Sequence, residues 1–242
     1  MANFDAYVLC TTPRSGSTML CHMLRATGIA GHPESWFHQP SVESWRAALG
    51  LGPGTRVKQV IVAAIGAGRA ESDIFGLRVQ RGSFDFLQEQ LADLYPAAQT
   101  DLDRLEAAFG RVKFIYLSRE DRVAQAVSLV RADQTGLWHR RADGRELERL
   151  AVHKDPVFDR IAIANALDHV NGLNDAWDRW FAAQDLSPLR IIYERLATEP
   201  QRVLAEVLEK LGLVGKVAAE TPVGTARLAD DISEDWINRF SR

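Results

Sequence analysis

The chain has 242 residues and a mass of 26.9 kDa, with 46% hydrophobic and 25% charged residues. These values belong to a globular protein and exclude collagen, coiled-coil rods and general disorder. A formal net charge of −3 and a pI near 6.1 exclude a broad nucleic-acid surface, yet leave room for one small anion site.

No apolar stretch reaches the length of a transmembrane helix. Residues 1–5 lack the basic region and apolar core of a signal peptide. Cys10 and Cys21 sit in apolar segments without metal-ligand spacing and read as reduced, buried thiols. A cytoplasmic protein is expected.

Tyr7-Val8-Leu9-Cys10 is a short apolar run and predicts a buried strand. Arg14-Ser15-Gly16-Ser17-Thr18 follows, small and polar. Met19, Leu20, Met23 and Leu24 then recur at helical spacing until Gly28. Residues 28–54, rich in Gly, Pro, His and Trp, read as loop with a short helix over 42–49. Residues 55–65 read as helix and 74–79 as strand, and Phe84, Leu87, Leu91 and Leu94 mark a helix ended by Pro96. The run 112–117 is the clearest strand, and a helix with Val123, Ala126, Val127 and Val130 follows it.

Residues 139–149 are charged and read as exposed. The longest helix is predicted over 156–183, with Val157, Ile161, Ala164, Leu167, Val170, Trp177 and Phe181 as its apolar stripe. Residues 189–193 form another strand. Thr198 with Gln201 resembles a capping box opening a helix that Gly212 stops. Strands alternating with helices predict one α/β domain over residues 1–242, with a central parallel sheet flanked by helices on both faces.

The loop after the first strand carries the chemistry. A strand-to-helix loop presents free N–H groups and the positive end of a helix dipole. Gly16 permits close approach of an anion, Ser15, Ser17 and Thr18 add hydroxyls, and Arg14 adds a planar cation. The competing reading is a helix capped by Ser15 or Ser17 with Arg14 solvated; the flanking elements favour the phosphate cradle. It is not a Walker A loop, because Ser17 stands where Lys is needed and Thr11 where the first Gly is needed. The strand over 112–117 ends in Ser118-Arg119 rather than a Mg²⁺-binding carboxylate, although Glu194 follows the last strand. A phosphate ligand handled without metal is expected.

Residues 12–18 resemble the 5′-phosphosulfate loop of sulfotransferases, and the longer likeness is to the bacterial trehalose 2-sulfotransferase family and its nodulation-factor type relatives. Four blocks carry it in order: 14–31, Gly31-His32-Pro33-Glu34-Ser35-Trp36-Phe37, Arg119 through Gln125-Ala126-Val127-Ser128 to Trp138, and Arg227-Leu228-Ala229-Asp230 through Trp236. The resemblance implies a P-loop-like three-layer sandwich, 3′-phosphoadenosine 5′-phosphosulfate as donor, no metal, and a carbohydrate or glycolipid hydroxyl as acceptor. It also permits a homodimer. By position it places Arg14, Ser15, Gly16, Ser17 and Thr18 at the 5′-phosphosulfate, and Arg119 and Ser128 at the 3′-phosphate. It puts Tyr193 near the adenine and Arg227 near the nucleotide. Arg119, at a strand's carboxyl end, also lies on the expected ligand edge; the alternative is pairing with Asp121 or Glu120. Ser128 alone reads as a helix hydroxyl bonded to its own backbone.

The family's general base is a Glu in Gly-x-Pro-x-Glu-aromatic-Phe. Here Ser35 holds that position and Glu34 stands one residue early. A loop can absorb such a shift, whereas a strand or helix would turn the side chain away. Glu34 is the expected base, with His38 and His32 as competitors. Arg78 is a candidate to steady the transferring group, and Trp36, Phe37, Trp45 and Trp138 are candidates to stack on a sugar. Two other functions remain open on sequence: a P-loop-type kinase or nucleotide hydrolase, and a nucleotide-binding protein with a degenerate site.

Overall fold

The computed structural model describes residues 4–140, 143–213, 221–222, 224 and 230–242. Every residue of β1 (Ala6–Thr11) is buried, so this strand lies in the middle of the sheet. It leads through a short loop into α1 (Ser17–Ala26). Next come α2 (Val42–Ala48), α3 (Val57–Arg69), β2 (Phe75–Gln80), α4 (Arg81–Leu94), α5 (Asp101–Phe109) and β3 (Val112–Ser118). α6 (Arg122–Thr135) precedes a hairpin of β4 (Leu137–Arg140) and β5 (Glu146–Arg149). The chain continues with α7 (Arg160–Ala183), β6 (Leu189–Ile192), α8 (Tyr193–Thr198), α9 (Pro200–Lys210) and α10 (Asp231–Phe240).

The main sheet has the order β2-β1-β3-β6 with all neighbours parallel. The period-2 alternation of each strand divides its side chains between two cores. Ala6, Val8 and Cys10 join Phe75, Leu77, Phe114 and Tyr116 beneath α3, α4, α5 and α7. Tyr7, Leu9, Ile115, Leu117 and Ile191 face α1 and α9 on the other side. The expected central parallel sheet with helices on both faces is what forms. Among the described residues no helix is long and apolar enough to cross a membrane.

Some elements depart from the sequence reading. α5 was not anticipated, although Thr100 and Asp103 form a reciprocal capping box at its start. α7 begins at Arg160, because the Asp159 carboxylate accepts from the N–H groups of Ile161 and Ala162, both at 2.9 Å. Val157 lies outside the helix, its backbone bonded in both directions by the Gln134 amide. Val157 and Ile161 are exposed; the buried face runs through Ile163, Val170, Asn174, Trp177, Trp180 and Phe181. The capping box of Thr198 with Gln201 does not form. Thr198 donates back to Glu194 O, Gln201 donates to Thr221 O, and Pro200 opens α9. Of the segment read as exposed, His139 and Arg140 end β4 and Glu146–Arg149 form β5, and this hairpin meets the loop after β1 through Trp138 O and the start of α1 through His139.

Trp177 joins the sheet core to that loop. Its ring is fully buried against Phe84 and Phe181, and Nε1 donates to Thr11 O at 2.9 Å. Replacing Trp177 with Ala is expected to destabilise the protein by about 3–5 kcal/mol through the cavity left, read from urea unfolding of both proteins.

Candidate active site at the carboxyl edge of the sheet

The loop between β1 and α1 is braced from behind. Gln125 Nε2, from α6, donates to Thr12 Oγ1 at 3.0 Å and to Pro13 O at 2.6 Å. Asn174 Nδ2, from α7, reaches the same threonine at 3.5 Å. Ser15 is fully buried and donates to Thr12 O at 2.8 Å, with Thr11 Oγ1 also in contact. Its hydroxyl therefore serves the loop, and only its backbone is offered outward. Gly16 is the N-cap of α1 at φ 85°, and no side chain caps that helix, so neither Ser15 nor Ser17 plays the capping role. The first-turn N–H groups are left for something else. A Cβ on Gly16 would lie 2.4 Å from Cδ2 of Tyr193, whose ring closes the loop from the β6 side.

Arg14, itself at φ 62°, turns its guanidinium across the sheet edge. Nε donates to Ser128 Oγ at 3.0 Å and Nη1 donates to Trp138 O. The Ser128 hydroxyl thus receives the loop arginine. Arg119 follows β3 and lies 4.8 Å over the Tyr193 ring, 3.7 Å from Glu194 rather than paired with Asp121 or Glu120. Burial, then the charge of Arg119, lowers Arg14 to about 10. Arg14 remains a cation at neutral pH. Glu194 is engaged elsewhere: its carboxylate accepts from the N–H groups of Glu120 at 3.1 Å and Asp121 at 3.2 Å, closing the turn after β3.

Arg78 of β2 forms the other half of the site. Nε donates to Ser35 Oγ at 2.8 Å, Nη1 donates to Thr18 Oγ1 at 2.9 Å, and Nη2 lies 3.7 Å from Glu34 Oε2. Glu34 is held beside the strand by a parallel bridge to Leu77, with Arg78 N donating to Glu34 O at 3.0 Å. The backbone at Glu34 is thus strand-like, where a one-residue shift should redirect a side chain. The long fork of Arg78 nevertheless reaches both neighbours, so the carboxylate stays at the sheet edge. Its other oxygen lies 3.6 Å from His32 Nε2. Burial, then nearby arginine charge, lowers both His32 and His38, leaving neutral rings at neutral pH.

A hollow of about 330 Å³ opens beside this group, lined by Ser35, Trp36, His38, Gln39, Ser44 and Trp45. Trp36 Nε1 is buried there without a hydrogen-bond partner among the described residues. Of the candidate stacking aromatics, Phe37 and Trp45 belong to the core, edge to face at 4.9 Å. Trp138 lies under the Arg14 guanidinium, with 5.9 Å from Cζ to the ring centroid. Arg227 lies outside the described residues.

Several residues here escaped the sequence reading. Gln125, Asn174 and Trp177 hold the loop, and the available signal was a buried Asn inside the apolar stripe of α7. His139 is the other. Its Nε2 lies 3.0 Å from Thr18 Oγ1 and 3.4 Å from Glu148 Oε2. Burial, with Arg14, Arg78 and His22, lowers it to about 3. No local pattern announces that contact.

The sequence matches the family model described as Stf0 sulphotransferase over residues 6–242. The chain belongs to the Stf0 sulphotransferase family. Trehalose 2-sulfotransferase of Mycobacterium tuberculosis (strain Erdman) is 29% identical over a gapped alignment of 260 positions that covers 97% of this Stf0 chain and 93% of that protein. Trehalose 2-sulfotransferase of Mycolicibacterium smegmatis is 28% identical over 263 residues, covering 98% and 94%. A solved sulfotransferase domain from the Synechococcus PCC 7002 olefin synthase aligns with 95% of the Stf0 chain and 78% of its own, at 18% identity and a TM-score of 0.41.

The neutral His139 links stability to pH. An unfolded imidazole titrates near its ordinary 6.5, and the folded one near 3. Between these values the unfolded chain binds more protons, so stability is fully present above about 6.5 and is lost as pH falls toward 3. Thermal melts of the Stf0 protein from pH 7.5 to 4.5 are expected to fall more steeply in the wild type than in His139→Gln.

Proposed function

We propose that residues 6–242 form one sulfotransferase domain that moves a sulfonate group from 3′-phosphoadenosine 5′-phosphosulfate to a carbohydrate hydroxyl. The observation that carries the donor reading is Arg14, bonded to Ser128, together with Arg119, stacked on the Tyr193 ring that closes the loop at Gly16, beside the N-terminus of α1 that no side chain caps. A compact polyanion fits that combination. The residues to hold its 5′ end are the backbone of residues 15–18 and the Thr18 hydroxyl. Ser128 and Arg119 would hold its 3′-phosphate, and Tyr193 would flank the base. Arg14, already bonded to Ser128, lies within reach of both ends.

The bound donor supplies the activated sulfonate. Glu34, at the sheet edge beside the hollow, takes the acceptor's hydroxyl proton, a contribution of about 10²–10⁴-fold in rate. Arg78, tied to Thr18, Ser35 and Glu34, fixes the base relative to the loop. Charge developing on the leaving phosphate oxygen is met by the loop N–H groups and Arg14. The hollow offers hydroxyl, amide and imidazole partners around an indole, which suits a sugar. The names of the two mycobacterial relatives make a disaccharide the first acceptor to try.

Calorimetry with adenosine 3′,5′-bisphosphate is expected to show binding that survives EDTA. Binding of ATP with Mg²⁺ and none of the bisphosphate would replace this reading with a kinase or nucleotide hydrolase. Glu34→Gln is expected to cut turnover roughly 100-fold with bisphosphate affinity unchanged; near-full activity would move the base to His38 or His32. Arg14→Ala is expected to weaken bisphosphate binding by about 1.5–3 kcal/mol, and undiminished affinity would remove Arg14 from the donor site. Bisphosphate binding without sulfonate transfer to any carbohydrate would leave a nucleotide-binding protein.

A further inference from the structure

The β4–β5 hairpin brings one titratable group onto the anion loop. His139 faces Glu148 across the hairpin as its register partner. The hairpin springs directly from α6: Leu150 N donates to Gly136 O at 2.8 Å and Arg149 Nη1 donates to Thr135 O at 2.6 Å. It is tied to the loop by the bond from Arg14 to Trp138 O. His139 Nε2 is therefore carried to within 3.0 Å of Thr18 Oγ1, in the first turn of α1.

That nitrogen is contested. Thr18 Oγ1 accepts from Arg78 Nη1 at 2.9 Å and keeps one hydrogen, which a neutral His139 accepts at Nε2 when its own proton sits on Nδ1. Burial of the ring opposes a proton most, and Arg14 from the loop, Arg78 from β2 and His22 from α1 add to it. Glu148 Oε2 from β5, 3.4 Å from the same nitrogen, favours one. Burial and the three cations together outweigh Glu148. An anion seated on the loop would offset Arg14 and Arg78 and draw the Thr18 hydrogen to itself, leaving Glu148 as the nearest charge to decide.

We propose that His139 is a donor-site residue that is neutral in the free protein, takes one proton from solvent when the phosphosulfate or bisphosphate anion is seated, and donates Nε2–H to the anion's 5′ end. The proposal rests on the donor reading above and deepens it. Because binding and protonation are linked, each raises the affinity for the other. Donor affinity therefore rises as pH falls through the value His139 acquires in the complex, and this dependence belongs to one side chain.

The test is calorimetry of adenosine 3′,5′-bisphosphate at pH 6.0 in buffers of unlike ionisation enthalpy, which counts protons taken up per site. Phosphate groups that lose protons on meeting the arginines do so in wild type and variant alike, so the difference isolates His139. The wild type is expected to take up about half a proton or more per site beyond His139→Gln. The variant is also expected to bind about tenfold more weakly at pH 6.0 and nearly normally at pH 8.5. Glu148→Gln, a change at a half-exposed position, is expected to shrink the uptake without loss of the fold. Equal proton counts in wild type and His139→Gln, or an affinity loss independent of pH, overturn the proposal and leave His139 as a brace between hairpin and loop. No bisphosphate binding by the wild type overturns the donor reading and this proposal together.

Discussion

The site depends on how β1 ends. β1 is hydrogen-bonded to a parallel neighbour on each side through Thr11 and buried on both faces. Past that point the chain can only turn up and out into α1, and the turn leaves polar backbone groups at the edge of two cores. Buried backbone groups must be paired. Trp177 takes Thr11 O, while Gln125 takes Pro13 O and the Thr12 hydroxyl. With the rear of the loop satisfied by α6 and α7, the front keeps its first-turn N–H groups for a ligand. A loop held from only one helix would be free to rotate them away.

The charges follow from the same frame. Parallel strands deliver their carboxyl ends to one edge, so residues far apart in sequence meet there. Arg14 follows β1, Arg119 follows β3, Arg78 lies in the last half of β2, and Tyr193 begins the helix after β6. Three guanidinium groups gathered at one edge raise the local potential although the chain as a whole carries a charge of −3. The acids that answer them are set at the margins. Glu194 closes a turn, Glu148 lies on the hairpin, and Glu34 lies between Arg78 and His32. The positive charge of this edge is thus a matter of geometry rather than of composition.

The two halves of the edge are coupled by Thr18 and Ser128. Arg78 reaches Thr18 from the Glu34 side and His139 reaches it from the hairpin, while Arg14 joins Ser128 to Trp138. The resulting polar contacts run from Ser35, at the hollow, to Ser128 on α6.

Much of this was legible in the amino-acid order alone. Apolar runs gave β1, β2, β3 and β6 because buried strands need little more than length and β-forming residues. The Arg14-Ser15-Gly16-Ser17-Thr18 loop between strand and helix was legible as a tight turn into α1, and Gly16 takes the positive φ it predicts. Local signals misled where two of them competed. Asp159 outbid Pro156 as the start of α7, and Pro200 opened α9 where Thr198 resembled a cap. Tertiary structure alone decided what the polar side chains meet. That Arg14 turns to Ser128, that Arg78 spans both Glu34 and Ser35, and that His139 comes down on Thr18 are contacts across tens of residues or more. Sequence periodicity reports which face of an element is apolar. It carries no information about which distant polar group that face will be laid against.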